Sequence, residues 1–442
     1  MNIKLSDSFS YKRLIQFTLP SVAMMVFTSI YGVVDGFFVS NYAGKTAFAA
    51  VNLIMPFLML LGTVGFMFGT GGSALVAKYM GQGRAEKANR LFSLFVYFSA
   101  ALGTVISIFA FIFIRPIAVA LGADGAMLQN CVLYGRIIIA AAPAFILQQE
   151  FQSFFVTAQK PTLGLIATVV SGVTNMVLDA LFVGGFGWGI AGAAAATALS
   201  QLVGAVIPLC YFFRKNNSPL RLGKTGYNGK ALLKAAANGS SELMSNVSMS
   251  LVNMLYNFQL MKYAGENGVA SYGVLMYVNF VFIAVFIGYS IGMAPVVSFH
   301  FGAGNHGELR SLRCKSFVLI GGCSVAMLLL AELFGTPLAR FFVGYNAELL
   351  QLTARGFQIF SFSFLFAGLS IFGSAFFTAL NDGLTSALIS FLRTLVFQVA
   401  AVLLLPLIFG INGIWFSVVA AELVACAVSL IFIAAKRKKY GY

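Results

Sequence analysis

The sequence predicts an all-α integral membrane protein: twelve transmembrane helices in two six-helix lobes related by a pseudo-twofold axis along the membrane normal. Three observations predict it. The 442 residues are 60% hydrophobic and 9% charged, with a mean hydropathy of +0.90, more apolar surface than a soluble domain of this length needs. Apolar runs of the roughly 20 residues that span a bilayer recur at 14–40, 51–77, 91–114, 129–157, 162–184, 190–213, 235–261, 272–299, 315–334, 353–379, 384–409 and 413–435. The chain also repeats itself at half its length. With an offset of 221 residues, Tyr42-Ala43-Gly44 recurs as Tyr263-Ala264-Gly265, Gly81-x-Gly83 as Gly302-x-Gly304, and Phe155-x-Thr157-Ala158 as Phe376-x-Thr378-Ala379. Gly135 and Gly192 recur as Gly356 and Gly413 in the same register, and Pro116 as Pro337.

Each half therefore holds six spans. An even number gives both halves the same topology, the parallel-repeat plan of secondary transporters, whose substrate path runs between the repeats. The expected division is an N-terminal lobe over 1–213, a cytoplasmic linker over 214–234 and a C-terminal lobe over 235–442. The linker is the one long polar connection, basic and punctuated by Pro219, Gly223, Gly226 and Gly229.

The net charge of +15 would suggest nucleic acid in a soluble protein, but its placement argues otherwise. If the N-terminus is inside, the inner segments carry 21 of the 28 Lys and Arg, and the outer loops keep Lys45, Arg115, Lys262 and Arg340. This positive-inside bias puts both termini in the cytoplasm of a multi-pass plasma-membrane protein. No nucleic-acid partner is expected. The first apolar stretch is too long for a signal h-region and reads as the first span. The five cysteines form no CxxC pair, so neither a disulfide framework nor a metal site is indicated. His300 and His306 read as solvated residues of one inner loop. No His, Cys or Ser-base constellation lies at membrane depth, so an enzyme is not expected.

Ionisable groups within spans are expensive there and mark function by default. Asp35, Glu150, Asp179, Glu242, Arg393 and Glu422 qualify. Asp35 lies about five residues from the outer end of its helix, ~8 Å in, and Asp179 lies equally near the outer end of the fifth span. Thr28, Tyr31 and Asp35 share one helix face, as do Ser171, Asn175 and Asp179. The two faces occupy one depth in one lobe, together with Thr197. Two carboxylates held close in a low dielectric cannot both ionise cheaply. Such a pair suits either a proton-coupled transporter or a static polar network. Arg393 and Glu422, at similar depth on successive helices, are expected to form a structural ion pair. Glu242, Glu150, Gln149 and Asn257 are candidate walls of a substrate cavity; water-exposed groups at an inner vestibule are the other reading of the two glutamates.

At these residues the chain resembles the multidrug and toxic compound extrusion (MATE) family, over essentially all twelve spans. The marks are Leu19-Pro20 opening the first helix, Asp35-Gly36-Phe37-Phe38-Val39 near its end, Ala158-x-x-Pro161 after the fourth, Asn175-x-x-x-Asp179 in the fifth, and Gly192-Ala193-Ala194-Ala195-Ala196-Thr197 in the sixth. The resemblance is to the branch with an acidic first helix. It implies a polar coupling network of Asp35, Tyr31, Asn175, Asp179 and Thr197. It also implies cation-coupled efflux of amphipathic, often cationic small molecules, with protons or sodium ions as the coupling ion, no other cofactor, and a working monomer. Asp35, Asp179 and Asn175 oxygens could serve either ion. The chain departs from the family in three places: Ala158-Gln159-Lys160-Pro161 replaces the usual Arg and Gly-Asp after the fourth helix, Ser241 stands where Pro20 would repeat, and Tyr256 and Ala400 stand where Asp35 and Asp179 would. Coupling is therefore expected to be asymmetric. A flippase for a lipid-linked or amphiphilic metabolite is the alternative within the superfamily. Twelve spans and few candidate cavity arginines, chiefly Arg136 and Arg393, favour the exporter.

Overall fold

A computed structural model of the chain describes residues 3–442 except Ser40, Asn41, Ala43, Gly44 and Tyr345, and except the side chains of Val33, Phe37 and Lys45. Part of the first Tyr-Ala-Gly copy, the Phe37 side chain of the first-helix motif and the Lys45 side chain thus lie outside the described residues. Helices make up nearly all the rest, with no strand among the described residues. Ten helices are long and apolar enough to cross a membrane, and a bent pair supplies one more span. The longest run, Gly229–Gly302, is broken at Gly265, with φ 60° and ψ −150°. Only glycine adopts that conformation readily, so the run is two spans and the total is twelve.

We number the spans α1 (Tyr11–Phe38), α2 (Lys45–Gly81), α3 (Ala85–Ala120), α4 (Gly125–Ala140 and Ala142–Thr157), α5 (Pro161–Asp179), α6 (Gly189–Phe213), α7 (229–264), α8 (266–302), α9 (His306–Val343), α10 (Ala347–Phe360 and Phe364–Ala379), α11 (Gly383–Phe391 and Phe397–Phe409) and α12 (Ile411–Tyr440). Spans α1–α6 form the N-lobe and α7–α12 the C-lobe. The two halves of α4 meet at 56°, where Pro143 lacks the N–H that would continue the ladder. One repeat later, α10 breaks at a 3-10 turn, Ser361–Ser363, without a proline. π-Helical turns interrupt the bundle at Ala180–Gly185, after Asp179, and at Leu392–Val396, around Arg393.

The repeat is written into the backbone. Gly83 and Gly304 have φ of 73° and 69°, and Gly189 and Gly410 have φ of 56° and 58°; each pair is 221 residues apart. At the turns after α4 and α10 the register slips by one. The left-handed residues there are Gln159 and Asn381, and the equivalent closing bonds are Lys160 N–H to Phe155 O (2.8 Å) and Asp382 N–H to Phe377 O (2.9 Å). The gapless match of Phe155 with Phe376 is therefore one residue out structurally.

The helices extend past the apolar runs at most ends, because an apolar run marks only the hydrocarbon depth. This corrects two expectations. The linker is shorter: α7 begins at Gly229, so Lys230 and Lys234 are helical. The non-helical 214–228 stretch packs along α3, with Arg221 N–H on Asn89 Oδ1 (2.7 Å) and Thr225 Oγ1 on Arg90 O (2.8 Å). His300 is no loop residue. It lies within α8 and is buried.

The lobes meet at the end of the bundle that carries the basic segments. Lipid supplies no hydrophobic drive for helix association, so close backbone approach through small residues does the work. A methyl group at Gly71 would lie 2.1 Å from Ala235 O, and one at Gly239 would lie 1.9 Å from Met67 O. Gly81 and Gly302 are repeat mates and meet symmetrically: a methyl at Gly81 would strike Phe299 O, and one at Gly302 would strike Lys78 O. Gly288 and Gly292 of α8 receive Val22 and Thr18 of α1 in the same way. Asn238 bridges the lobes, donating to Gly71 O (3.4 Å) and Thr378 O (2.9 Å).

Residues ahead of α1 also cross to the C-lobe. Leu5 and Phe9 are buried in the cluster built mainly from α8–α12. The Phe9 N–H donates to Glu308 (2.9 Å) and Lys315 donates to Phe9 O. Ser10 then caps α1 through the Arg13 N–H. On the same face Asp382, in the turn before α11, accepts from Lys436 (2.7 Å) and Tyr440 (2.7 Å) near the end of α12. Burial alone would raise this carboxyl. The bonds from Lys436, Tyr440 and Thr385 outweigh it and hold the group at about 2.

Candidate functional site

Two polar centres occupy the bundle, one in each lobe. In the N-lobe, Asp35 of α1 is buried and accepts from Thr197 Oγ1 of α6 at 3.4 Å, and Thr197 accepts from Asn175 Nδ2 of α5 at 3.4 Å. The Asp35 and Asp179 carboxyls lie within hydrogen-bonding reach of each other. Asp179 is fully buried, and neither of its oxygens meets a donor among the described residues; nor does Asn175 Oδ1. Tyr31 lies one turn before Asp35, its ring 6.0 Å from that of Phe27. Gly172 lets α1 approach α5 here, since a methyl would lie 2.5 Å from Phe27 and 3.0 Å from Tyr31.

The spacing argument thus brings Tyr31, Asp35, Asn175, Asp179 and Thr197 into one cluster. It missed Tyr134 of α4, fully buried beside Thr197 and both carboxyls, its hydroxyl within no hydrogen bond of normal geometry among the described residues. Tyr134 carries no charge, so a search for ionisable groups within spans passes it by. A hydrogen-bonded chain continues inward: Gln148 Nε2 donates to Ser171 Oγ (3.1 Å), Ser171 to Ser200 O (2.7 Å), and Ser200 to Thr197 O (2.8 Å).

Two ionised carboxylates are acceptors only, so their contact needs a proton or a cation between them. The repeat mates contrast with this. Tyr256, in the place of Asp35, donates to Gln398 Oε1 (2.8 Å) and shares a hydrogen bond with the Ser417 hydroxyl (2.7 Å), a neutral network that is satisfied as it stands.

The second centre is a cavity of about 260 Å³, lined mainly by the C-lobe. Its walls mix apolar side chains, Met249, Ile283, Ile287 and Phe360 among them, with uncharged polar ones such as Asn246, Asn253 and Ser290, and Glu242, Arg393 and Glu422 are the charged groups. Thr70, Ser73 and Ser153 are the N-lobe's share, and the Gly71–Gly239 contact lies beside Thr70. Arg393 Nε donates to both oxygens of Glu422, at 3.1 and 2.9 Å.

Three candidate cavity residues are corrected. Glu150 is fully buried within the N-lobe beside Ser99, and Gln149 accepts from Gln152 at 2.8 Å. The bend at Ala141 turns that half of α4 against α2, where Gly69 takes the Glu150 backbone. Asn257 is exposed and away from the cavity. Sequence position alone does not fix helix rotation, so it cannot say which face of a span meets the cavity. No group of three or more potential metal ligands occurs among the described residues.

Twelve spans in two lobes of one topology, with a cavity at their junction, define a membrane transporter of the parallel-repeat kind. The chain belongs to the MatE family, whose model matches residues 20–181 and 243–427; these are the multidrug and toxic compound extrusion transporters. It is similar to the multidrug export protein MepA of Staphylococcus aureus (strain MRSA252), 23% identical over 425 residues covering 95% of this chain and 93% of that protein. It is similar also to MepA of Staphylococcus haemolyticus (strain JCSC1435), 24% identical over 440 residues covering 97% and 94%. Among solved structures, MATE in complex with MaL6 superposes with a TM-score of 0.93 at 22% identity, covering 98% of each chain. A multidrug resistance MATE family transporter in an outward-facing conformation gives 0.93 at 22%, covering 98% of this chain and 97% of that one. These last two likenesses are of fold.

Proposed function

We propose that this chain is a cation-coupled antiporter that exports amphipathic, often cationic small molecules by alternating access. In this reading it works as a monomer in the plasma membrane with both termini in the cytoplasm, and protons or sodium ions drive it. The supporting observation is the Asp35–Asp179 contact, two buried acceptors that need a shared positive ion. A site that must hold a proton or cation in one state and can release it in another is what coupling requires. The MepA relatives, named as multidrug export proteins, support the substrate class. So does the acidic Glu242, since the cavity's other charged groups, Arg393 and Glu422, pair with each other.

The same cavity weighs against a flippase for anionic lipid-linked substrates. Arg393 is the only Lys or Arg lining it among the described residues, and Arg136 is exposed, over the Phe111 ring. The deciding experiment uses purified protein in proteoliposomes loaded with a fluorescent amphipathic cation. Proton and sodium gradients are imposed separately. One of the two should drive movement of the dye against its own gradient; if neither does, the reading fails.

A further inference from the structure

Arg393 is held by only one edge of its guanidinium. Nε bonds both oxygens of Glu422, and the two terminal nitrogens take no acceptor among the described residues. They are not sealed off: the side chain keeps 16% exposure, lines the cavity, and is absent from the buried unpartnered groups. The free edge is the fork that binds carboxylates with two parallel N–H···O bonds. Glu422 holds the group from the stem side and so positions that fork. The π-helical turn Leu392–Val396 carries Arg393, and such turns are frequent at functional sites.

The cavity's other charged group is Glu242, whose carboxyl also lines it and accepts no hydrogen bond among the described residues. Gly383 packs against Ala237 and Asn238, and α7 and α11 both run away from the basic end. Counting along the two helices from that contact places Arg393 roughly 8 Å beyond Glu242. Ser245 and Asn246 of α7 line the wall between those two depths, and apolar side chains such as Met249 and Ile283 line the cavity beside them.

We propose that the terminal nitrogens of Arg393 form a carboxylate-binding subsite, and that the cavity accepts zwitterionic amphiphiles. The ligand's ammonium lies toward Glu242, its carboxylate on the Arg393 fork, and its apolar body against the apolar part of the wall, where Met249 and Ile283 lie. This deepens the exporter reading and rests on it. Net charge alone would select cations, because the Arg393–Glu422 pair is neutral and Glu242 is acidic. What admits a carboxylate is the direction of the free donors.

Three matched probes test it: Nε-dansyl-lysine, its methyl ester, and dansylcadaverine, which lacks the carboxyl altogether. Affinities are measured by fluorescence on the purified full chain, as the acid-to-ester ratio. The double variant Arg393→Met/Glu422→Gln removes the fork without changing the cavity's net charge. Its ratio should fall about tenfold or more, the worth of a hydrogen bond to a charged group, with dansylcadaverine binding kept. Arg393→Lys, which keeps the charge but loses the fork, should show a smaller fall. A double-variant ratio equal to wild type overturns the subsite. If the double variant does not fold, an unchanged ratio in Arg393→Lys overturns it instead, as does a wild type that binds none of the three. Dansylcadaverine that binds but moves under neither gradient counts against the exporter reading, while the ratio still judges the subsite.

Discussion

In the proposed coupling, a proton or cation held between Asp35 and Asp179 belongs to the N-lobe, and one atom tests this. In Asp35→Asn the amide supplies its own donor to Asp179, so the contact persists without the ion. The variant should insert and fold with a melting temperature within a few degrees of wild type and lose coupled export. Full drug resistance in cells expressing it at normal levels would remove Asp35 from the mechanism. Arg393 and Glu422 call for a double-mutant cycle. Removing one partner strands a charge and should destabilise by about 3 kcal/mol or more, and removing both should cost less than the two single losses added. Thermal-shift measurements on Arg393→Ala, Glu422→Ala and the pair decide, and simple additivity counts against coupling. At this scale the sequence was legible where polar residues recur at helical spacing, as in Tyr31–Asp35 and Asn175–Asp179. It was illegible where the polar group carries no charge, as at Tyr134, since a tyrosine within a span fits packing as well as chemistry. It misled where a bend re-aims a helix, as with Glu150 and Gln149.

Helices meet across the lobes through bare backbone at Gly71, Gly239, Gly81 and Gly302. Gly239→Ala would set a methyl 1.9 Å from Met67 O, and such overpacking costs about 1–3 kcal/mol. Closure at the basic end should weaken accordingly. Spin labels at the exposed positions Gln82 and Lys230 should report a longer, broader distance, and an unchanged distribution would show that the contact does not hold the lobes together. The Asp382 turn makes a different prediction. Its carboxyl is held at about 2, below the ordinary value near 4, so the link from α11 to α12 contributes stability above about pH 4. That contribution disappears as pH falls from 4 toward 2. The melting temperature of wild type should therefore drop more between pH 5 and pH 3 than that of Asp382→Asn; parallel curves would refute the link. Among elements, the break at Gly265 and the bend at Pro143 were readable because glycine and proline announce them. The π-helical turns and the one-residue slip at Gln159 and Asn381 were not, since an inserted residue in a helix has no composition of its own.

The whole molecule is symmetric in backbone and asymmetric in chemistry. Twelve spans and two equal lobes followed from the apolar runs and the 221-residue repeat, because bilayer thickness and duplication both leave periodic marks. Tyr256 and Ala400 in place of the acids leave the C-lobe with a neutral, satisfied network. Hydrogen exchange at low against high pH should therefore change in α1, α5 and α6 and hardly at all in α7, α11 and α12, and the response should vanish in Asp35→Asn. An equal response in both lobes, or one that survives the substitution, sinks the asymmetry. The crossing of residues 5–9 to the opposite lobe was not legible, since Leu5 and Phe9 look like any apolar residues ahead of a span.

That crossing makes α1 a lever. Phe9 is pinned to the C-lobe by Glu308, Lys315 and its own buried ring, while Asp35, some 26 residues further on, is the end on which an ion acts in the proposed coupling. A helix pinned at one end cannot slide; it can only swing about the pin, or buckle where its hydrogen-bond ladder is already interrupted, and Pro20 lies between the two points. A small change of contact at Asp35 thus becomes torque on a fulcrum that belongs to the other lobe.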